Sequence, residues 1–177
     1  MSNSPHRSFE KIETADLARL ADLAVADFNA LFDRRPLSGV YRGRCFLICL
    51  CQGAAQHFLH HDRGVQDFDV WAFFNPHASM PFPPRRRGIA DFGLSRFGKN
   101  PDDGEFFVGR RVDIMARSIE IGAEEDEVQA LQRYLREKGT RTAWCLSRRP
   151  AIVIWPPERR GEIAWGGDEI QPPRSHD

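Results

Sequence analysis

A chain of 177 residues with 25 basic and 25 acidic side chains carries no net charge. That balance excludes a general electrostatic hold on nucleic acid or on an anionic membrane. The length suits one domain with a true core, expected over residues 1–165, with residues 166–177 as an irregular tail. Apolar residues make up 41%, yet no run reaches the length of a membrane span. The opening stretch MSNSPHRSFEKIETADL lacks the apolar centre of a secretion signal, so a cytoplasmic location is expected.

Residues 14–32, TADLARLADLAVADFNALF, carry Leu17, Leu20, Ala21, Ala24, Phe28 and Leu31 at helical spacing, with Thr14 as the expected N-cap. RRPLSG breaks the pattern. CFLICLC, residues 45–51, reads as a strand that is apolar on both faces and therefore central in its sheet. Its Cys45, Cys49 and Cys51 are expected to be reduced thiols packing as small hydrophobes, since no zinc-ligand spacing is present. QGAAQHFLHH, residues 52–61, is a glycine turn opening a short helix. In GVQDFDVWAFF, residues 64–74, strand alternation puts Phe68, Val70, Ala72 and Phe74 on one face and Asp67, Asp69, Trp71 and Phe73 on the other.

Residues 75–109, rich in Pro, Gly and Arg, predict a long connection of the functional or mobile kind. RRVDIMARSI, residues 110–119, is a third strand, with Val112, Ile114 and Ala116 on one face and Arg111, Asp113, Met115 and Arg117 on the other. AEEDEVQALQRYLREKG, residues 123–139, is a helix with acids at its start and bases at its end, as the macrodipole prefers. Val128, Leu131 and Leu135 form its stripe, and Gly139 ends it. RTAWCLSRR predicts a short helix and AIVIW, after Pro150, a strand. The order implies an α/β (α+β) chain: a small mixed β-sheet flanked by helices.

Two like charges side by side on one strand repel each other, and strands disfavour Asp. If the strands bearing Asp67, Asp69 and Asp113 are neighbours, three carboxylates converge, which is unfavourable unless cations sit among them. Carboxylate oxygens suit hard ions such as magnesium. Two such ions about 3.5–4 Å apart clamp the attacking and leaving oxygens of a phosphoryl displacement. A helix opening at Gly53 would aim N–H groups at an anion, and glycine allows close approach.

QGAAQHFLHHDRGVQDFDVW resembles the signature of polymerase-beta-like nucleotidyltransferases: an apolar strand, Gly-Ser or Gly-Gly opening a helix, about a dozen residues, then Asp-x-Asp on the next strand. Here Gly53-Ala54 precedes Asp67-Phe68-Asp69, and VDIM at Val112–Met115 is similar to the family's later strand with a third acid. The resemblance covers roughly residues 43–118. It implies a nucleotidyltransferase-like fold and transfer of a nucleoside monophosphate from a nucleoside triphosphate to an acceptor, with release of pyrophosphate. It implies that Asp67, Asp69 and Asp113 bind magnesium or manganese, that Asp113 orients or deprotonates the acceptor hydroxyl, and that Gly53 and Ala54 cradle the phosphates. Ala54 departs from the family's frequent serine and removes a side-chain donor.

Other readings stand beside this one. Asp113 is able to pair with Arg111 or Arg117 on its own face. Phosphate contacts are shared among two sets of candidates: Arg87 or Lys99 of the connection that holds the run Arg85–Arg87, and Arg110, Arg111 and Arg117 of the third strand. His57 and His61, one helical turn apart, motivate a rival transition-metal site. Trp71 and Phe73 are positioned to stack a base or to pack. The functional alternatives are a non-catalytic module of the same fold, including a toxin–antitoxin partner or other protein partner, and a metal-dependent phosphohydrolase. The acceptor and the base are not legible in the sequence.

Overall fold

In the computed structural model, which describes residues 6–82 and 87–168, the first apolar repeat forms α1, Thr14–Arg34, and buries the stripe read from the sequence. Its N-cap is Glu13 rather than Thr14, in a capping box with Asp16. The Glu13 N–H donates to Asp16 Oδ2 at 2.7 Å, so the acid one turn in sets the helix start. After a 3₁₀ turn at Pro36–Tyr41 come β1 (Cys45–Cys51), α2 (Gln52–His60), β2 (Phe68–Phe74), β3 (Arg87–Asp91) and β4 (Arg111–Ser118). The chain continues through α3 (Glu127–Glu137), α4 (Arg141–Ser147), β5 (Ala151–Trp155), a 3₁₀ turn at Pro157–Arg159 and β6 (Ile163–Trp165).

The strands form one mixed sheet in the order β3-β4-β2-β1-β5-β6. Only β2 and β4 run parallel; the other neighbours are antiparallel. β1 lies between two partners and is buried on both faces, as its composition requires. The segment expected to be a long connection contains β3, and the residues before the tail contain β6. Both are sheet edges. β3 leaves Arg87 and Ile89 exposed, and β6 is three residues long, so neither shows the apolar run or alternation that marks an inner strand.

Each face of the sheet carries its own core. Ile48, Leu50, Phe68, Val70 and Ile114 pack with the α1 stripe. Cys49, Phe73 and Val153 pack on the other face with Val128 and Leu131 of α3 and Leu146 of α4. All four cysteines are free. Burial pushes the Cys45 thiol up to about 12 and drives Cys49 and Cys51 up as well, which keeps them protonated and unreactive. Cys145, by contrast, is exposed. Among the described residues no helix is long and apolar enough to cross a membrane.

The stretch between β3 and β4 is tied to the sheet by Asp91. Its carboxylate accepts from the N–H groups of Gly93, Val108 and Gly109 at 2.8, 2.6 and 2.9 Å. The two glycines touch: a Cβ on Gly109 would lie 1.9 Å from the Gly93 carbonyl oxygen. Backbone cannot yield as a flexible side chain does, so Gly109→Ala is expected to cost about 2–3 kcal/mol. The measurement is the urea midpoint, which should fall with no change in slope. Gly104→Ala, with nothing within 4 Å of the added carbon, should leave it in place.

Candidate functional site

The parallel register of β2 on β4 sets Asp69 beside Asp113. Paired strands lie about 4.8 Å apart, and residues in register share a face. Asp67 lies in the bend just before β2 and not on the strand itself, and it lines the same cleft as Asp69. Asp67 and Asp69 are half-buried, and among the described residues neither takes part in an ion pair. Asp113 is fully buried, and each of its oxygens accepts from an arginine. Arg111 Nε donates to its Oδ1 at 2.8 Å, and Arg87 Nη2 donates to its Oδ2. The ion-pair reading therefore holds for Asp113 with Arg111, while Arg87 arrives from the edge strand β3.

The register continues across the sheet. Cys51 is the backbone partner of Asp69, and Ala151 is the partner of Cys51. β1 thus ends beside Asp69, so α2 begins there. β5 begins there too, which brings in Arg149 two residues before it. A cleft of about 560 Å³ opens at this end of the sheet. Gln52, Gly53, Ala54, Asp67, Asp69 and Trp71 line it, together with Arg7, Arg148 and Arg149.

No side chain caps the N-terminus of α2, so its first N–H groups keep their capacity for an anion. The left-handed residue of the turn is Gln52, at φ 59°, and not the glycine; strain of this kind at a non-glycine residue is held in place by its surroundings. The nearest atom to a Cβ built on Gly53 is Arg149 Nη1 at 3.5 Å. Arg149 stands out little in the sequence. Its only signal there is a basic pair directly before the proline that opens β5. The Arg148 guanidinium lies 5.1 Å from the centre of the Trp144 ring, on the cleft rim.

Several other candidates are drawn elsewhere. Arg117 donates to Thr142 Oγ1 and lines a second cleft. Arg110 is buried and serves the backbone, donating to the carbonyls of Phe97, His6 and Gln66 at 3.0, 2.7 and 3.2 Å. It thereby anchors the residue just before Asp67 instead of meeting a ligand. Lys99 donates to the Gly104 carbonyl. Arg85 and Arg86 lie outside the described residues. His57 accepts from the Gly64 N–H at 3.0 Å through Nδ1 and bonds the Glu10 carbonyl through Nε2, leaving neither nitrogen for a metal with His61. Phe73 is buried in the core, whereas Trp71 lines the cleft.

Among the described residues no three His, Cys, Asp or Glu side chains form a group able to hold a metal ion. Each oxygen of Asp113 already accepts from an arginine. Asp67 and Asp69 have no ion-pair partner among the described residues, and magnesium commonly takes one or two carboxylates with water and substrate phosphates completing its shell. The donors fit a hard divalent cation completed by phosphate, and they do not fit a cage built by protein alone. Comparison with family models, with curated proteins and with solved structures returned no match.

Burial, followed by the charges of Asp67 and Asp113, pushes the Asp69 carboxyl from 3.8 up to about 7. Burial and then Asp113 raise Asp67 as well. The folded chain thus keeps a proton on Asp69 at pH values where the unfolded chain has lost it, and stability falls as pH rises from about 4 to about 7. Asp69→Asn should therefore raise Tm at pH 8 by several degrees, since 1 kcal/mol moves Tm by roughly 2–4 °C at this size. The gain should vanish near pH 3.5, where both forms are neutral. Thermal melts at the two pH values check this, and a lower Tm for the variant at pH 8 contradicts it.

Proposed function

We propose that this chain is a metal-dependent nucleotidyltransferase of the polymerase-beta-like kind, moving a nucleoside monophosphate from a nucleoside triphosphate to an acceptor hydroxyl. The observation that carries the proposal is one row across the sheet. Asp113, Asp69 and the end of β1 are successive backbone partners, so unpaired carboxylates and an uncapped helix N-terminus share one cleft. The N–H groups of α2 receive the phosphates, with Arg149 beside Gly53 and Arg148 and Arg7 adding charge at the rim. Trp71 and Met115 provide the apolar part of the lining. Asp67 and Asp69 would hold magnesium or manganese together with phosphate oxygens. Bound there, the cation supplies charge stabilisation for the transferred phosphate. Asp113 acts as a positioning residue that holds Arg111 and Arg87 at the row.

A second reading has its own observation. Both oxygens of Asp113 are occupied by arginines, as suits a fold that binds nucleotide without turnover and serves a protein partner. The two are separated by measuring Tm and pyrophosphate together. Magnesium with ATP or GTP should raise Tm for the wild type and leave Asp69→Ala unmoved. No shift, or an equal shift in the variant, defeats both readings at this site. Steady pyrophosphate release that is lost in Asp67→Asn establishes transfer; a Tm shift without release establishes the binding module.

Gly53→Ala gives a test that folding does not confound. The added carbon meets only ordinary contact in the protein, and alanine is the better helix former by about 1 kcal/mol. Tm should be unchanged or higher, while the nucleotide concentration giving the half-maximal Tm shift should rise about tenfold, the equivalent of 1.4 kcal/mol. Unchanged nucleotide binding places the phosphates away from α2.

A further inference from the structure

The same strand that carries Asp113 carries Arg117 at its other end, on the same face. The described part of β3 pairs only with Arg111–Met115, so the last residues of β4 border a second cleft of about 620 Å³. Arg117 and Arg141 lie in it with Thr142, Ser118 and the hydroxyl-bearing Tyr134, facing a wall that includes Pro76, Pro81 and Phe82. Arg117 is half-buried, yet its Nε, at 3.1 Å, and its Nη2 both donate to one acceptor, Thr142 Oγ1. A guanidinium has five N–H donors in a fixed fork, so most of its capacity is unused. Among the described residues no Asp or Glu lines this cleft, and neither Arg117 nor Arg141 takes part in an ion pair.

We infer that this cleft binds an organic oxyanion, a carboxylate or phosphate carried on an apolar body. Arg117 and Arg141 take the charged group, because a planar fork suits paired oxygens, and a half-buried cation without a counter-charge gains most from one. The proline and phenylalanine wall takes the body. This cleft shares no lining residue with the first one.

The test is calorimetric titration of the full chain with phenyl phosphate, with benzoate and with inorganic phosphate. At least one of the two aromatic anions should bind with Kd below about 1 mM, and more tightly than inorganic phosphate. The comparison of benzoate with phenyl phosphate identifies which oxyanion the site prefers. Affinity should fall at least tenfold in Arg117→Gln and in Arg141→Gln, and should be unchanged in Arg34→Gln, whose exposed side chain lines neither cleft. Arg141 is exposed, so its variant reports on binding even if Arg117→Gln disturbs the fold. Absence of binding, equal affinity for inorganic phosphate, or affinity unchanged in Arg141→Gln overturns the inference.

Discussion

The constraint on which this molecule depends is the in-register parallel pairing of β2 with β4. It sets Asp69 next to Asp113 and, through the antiparallel pairing of β2 with β1, sets both in line with the end of β1. A slip of one residue would turn every side chain of a strand to the opposite face. Asp113 would then enter the α1 core, and Val112 or Ile114 would face α3 and α4. The large apolar side chains buried on the α1 face make that slip costly, so the apolar core fixes the position of the acids.

Charge around the row is compensated unevenly. Asp113, fully buried, holds two arginines, as a buried carboxylate must. Asp67 and Asp69 are left with neighbours of like charge and partial burial, which is why both carboxyls rise above their ordinary range. A few residues away, the N-terminus of α2 has N–H groups without a side-chain cap. The two carboxylates and the uncapped helix end stand at adjacent places in one cleft.

α4 is the element that the two clefts share. Arg141 and Thr142 at its start line the second cleft, and Trp144 and Cys145 line the first. The helix is held by Ala143 and Leu146, buried in the sheet-facing core, and by Thr140 as its N-cap. Its outer side chains are therefore fixed on a supported element and not on a free loop. Between the clefts, Trp71 and Met115 occupy the middle of the same sheet face, so the acidic end and the basic end of β4 stay apart.

Much of this organisation was legible in the sequence alone. The inner strands, α1, α2, α3 and α4, and the two faces of β2 follow from periodicity, because an inner element must bury a continuous stripe or face. The edge strands β3 and β6 do not follow, since one neighbour and an exposed face leave no such pattern. The placement of the arginines was beyond the sequence for a different reason. Alternation placed Arg111, Asp113 and Arg117 on one face, but it did not say that Arg87 would cross from β3 to the buried acid or that Arg117 would open onto another cleft. It did not reveal that Arg149 would stand beside Gly53 either. Those positions are decided by strand order and register, which join residues 51, 69, 113 and 151 across the sheet by backbone hydrogen bonds that carry no side-chain signature.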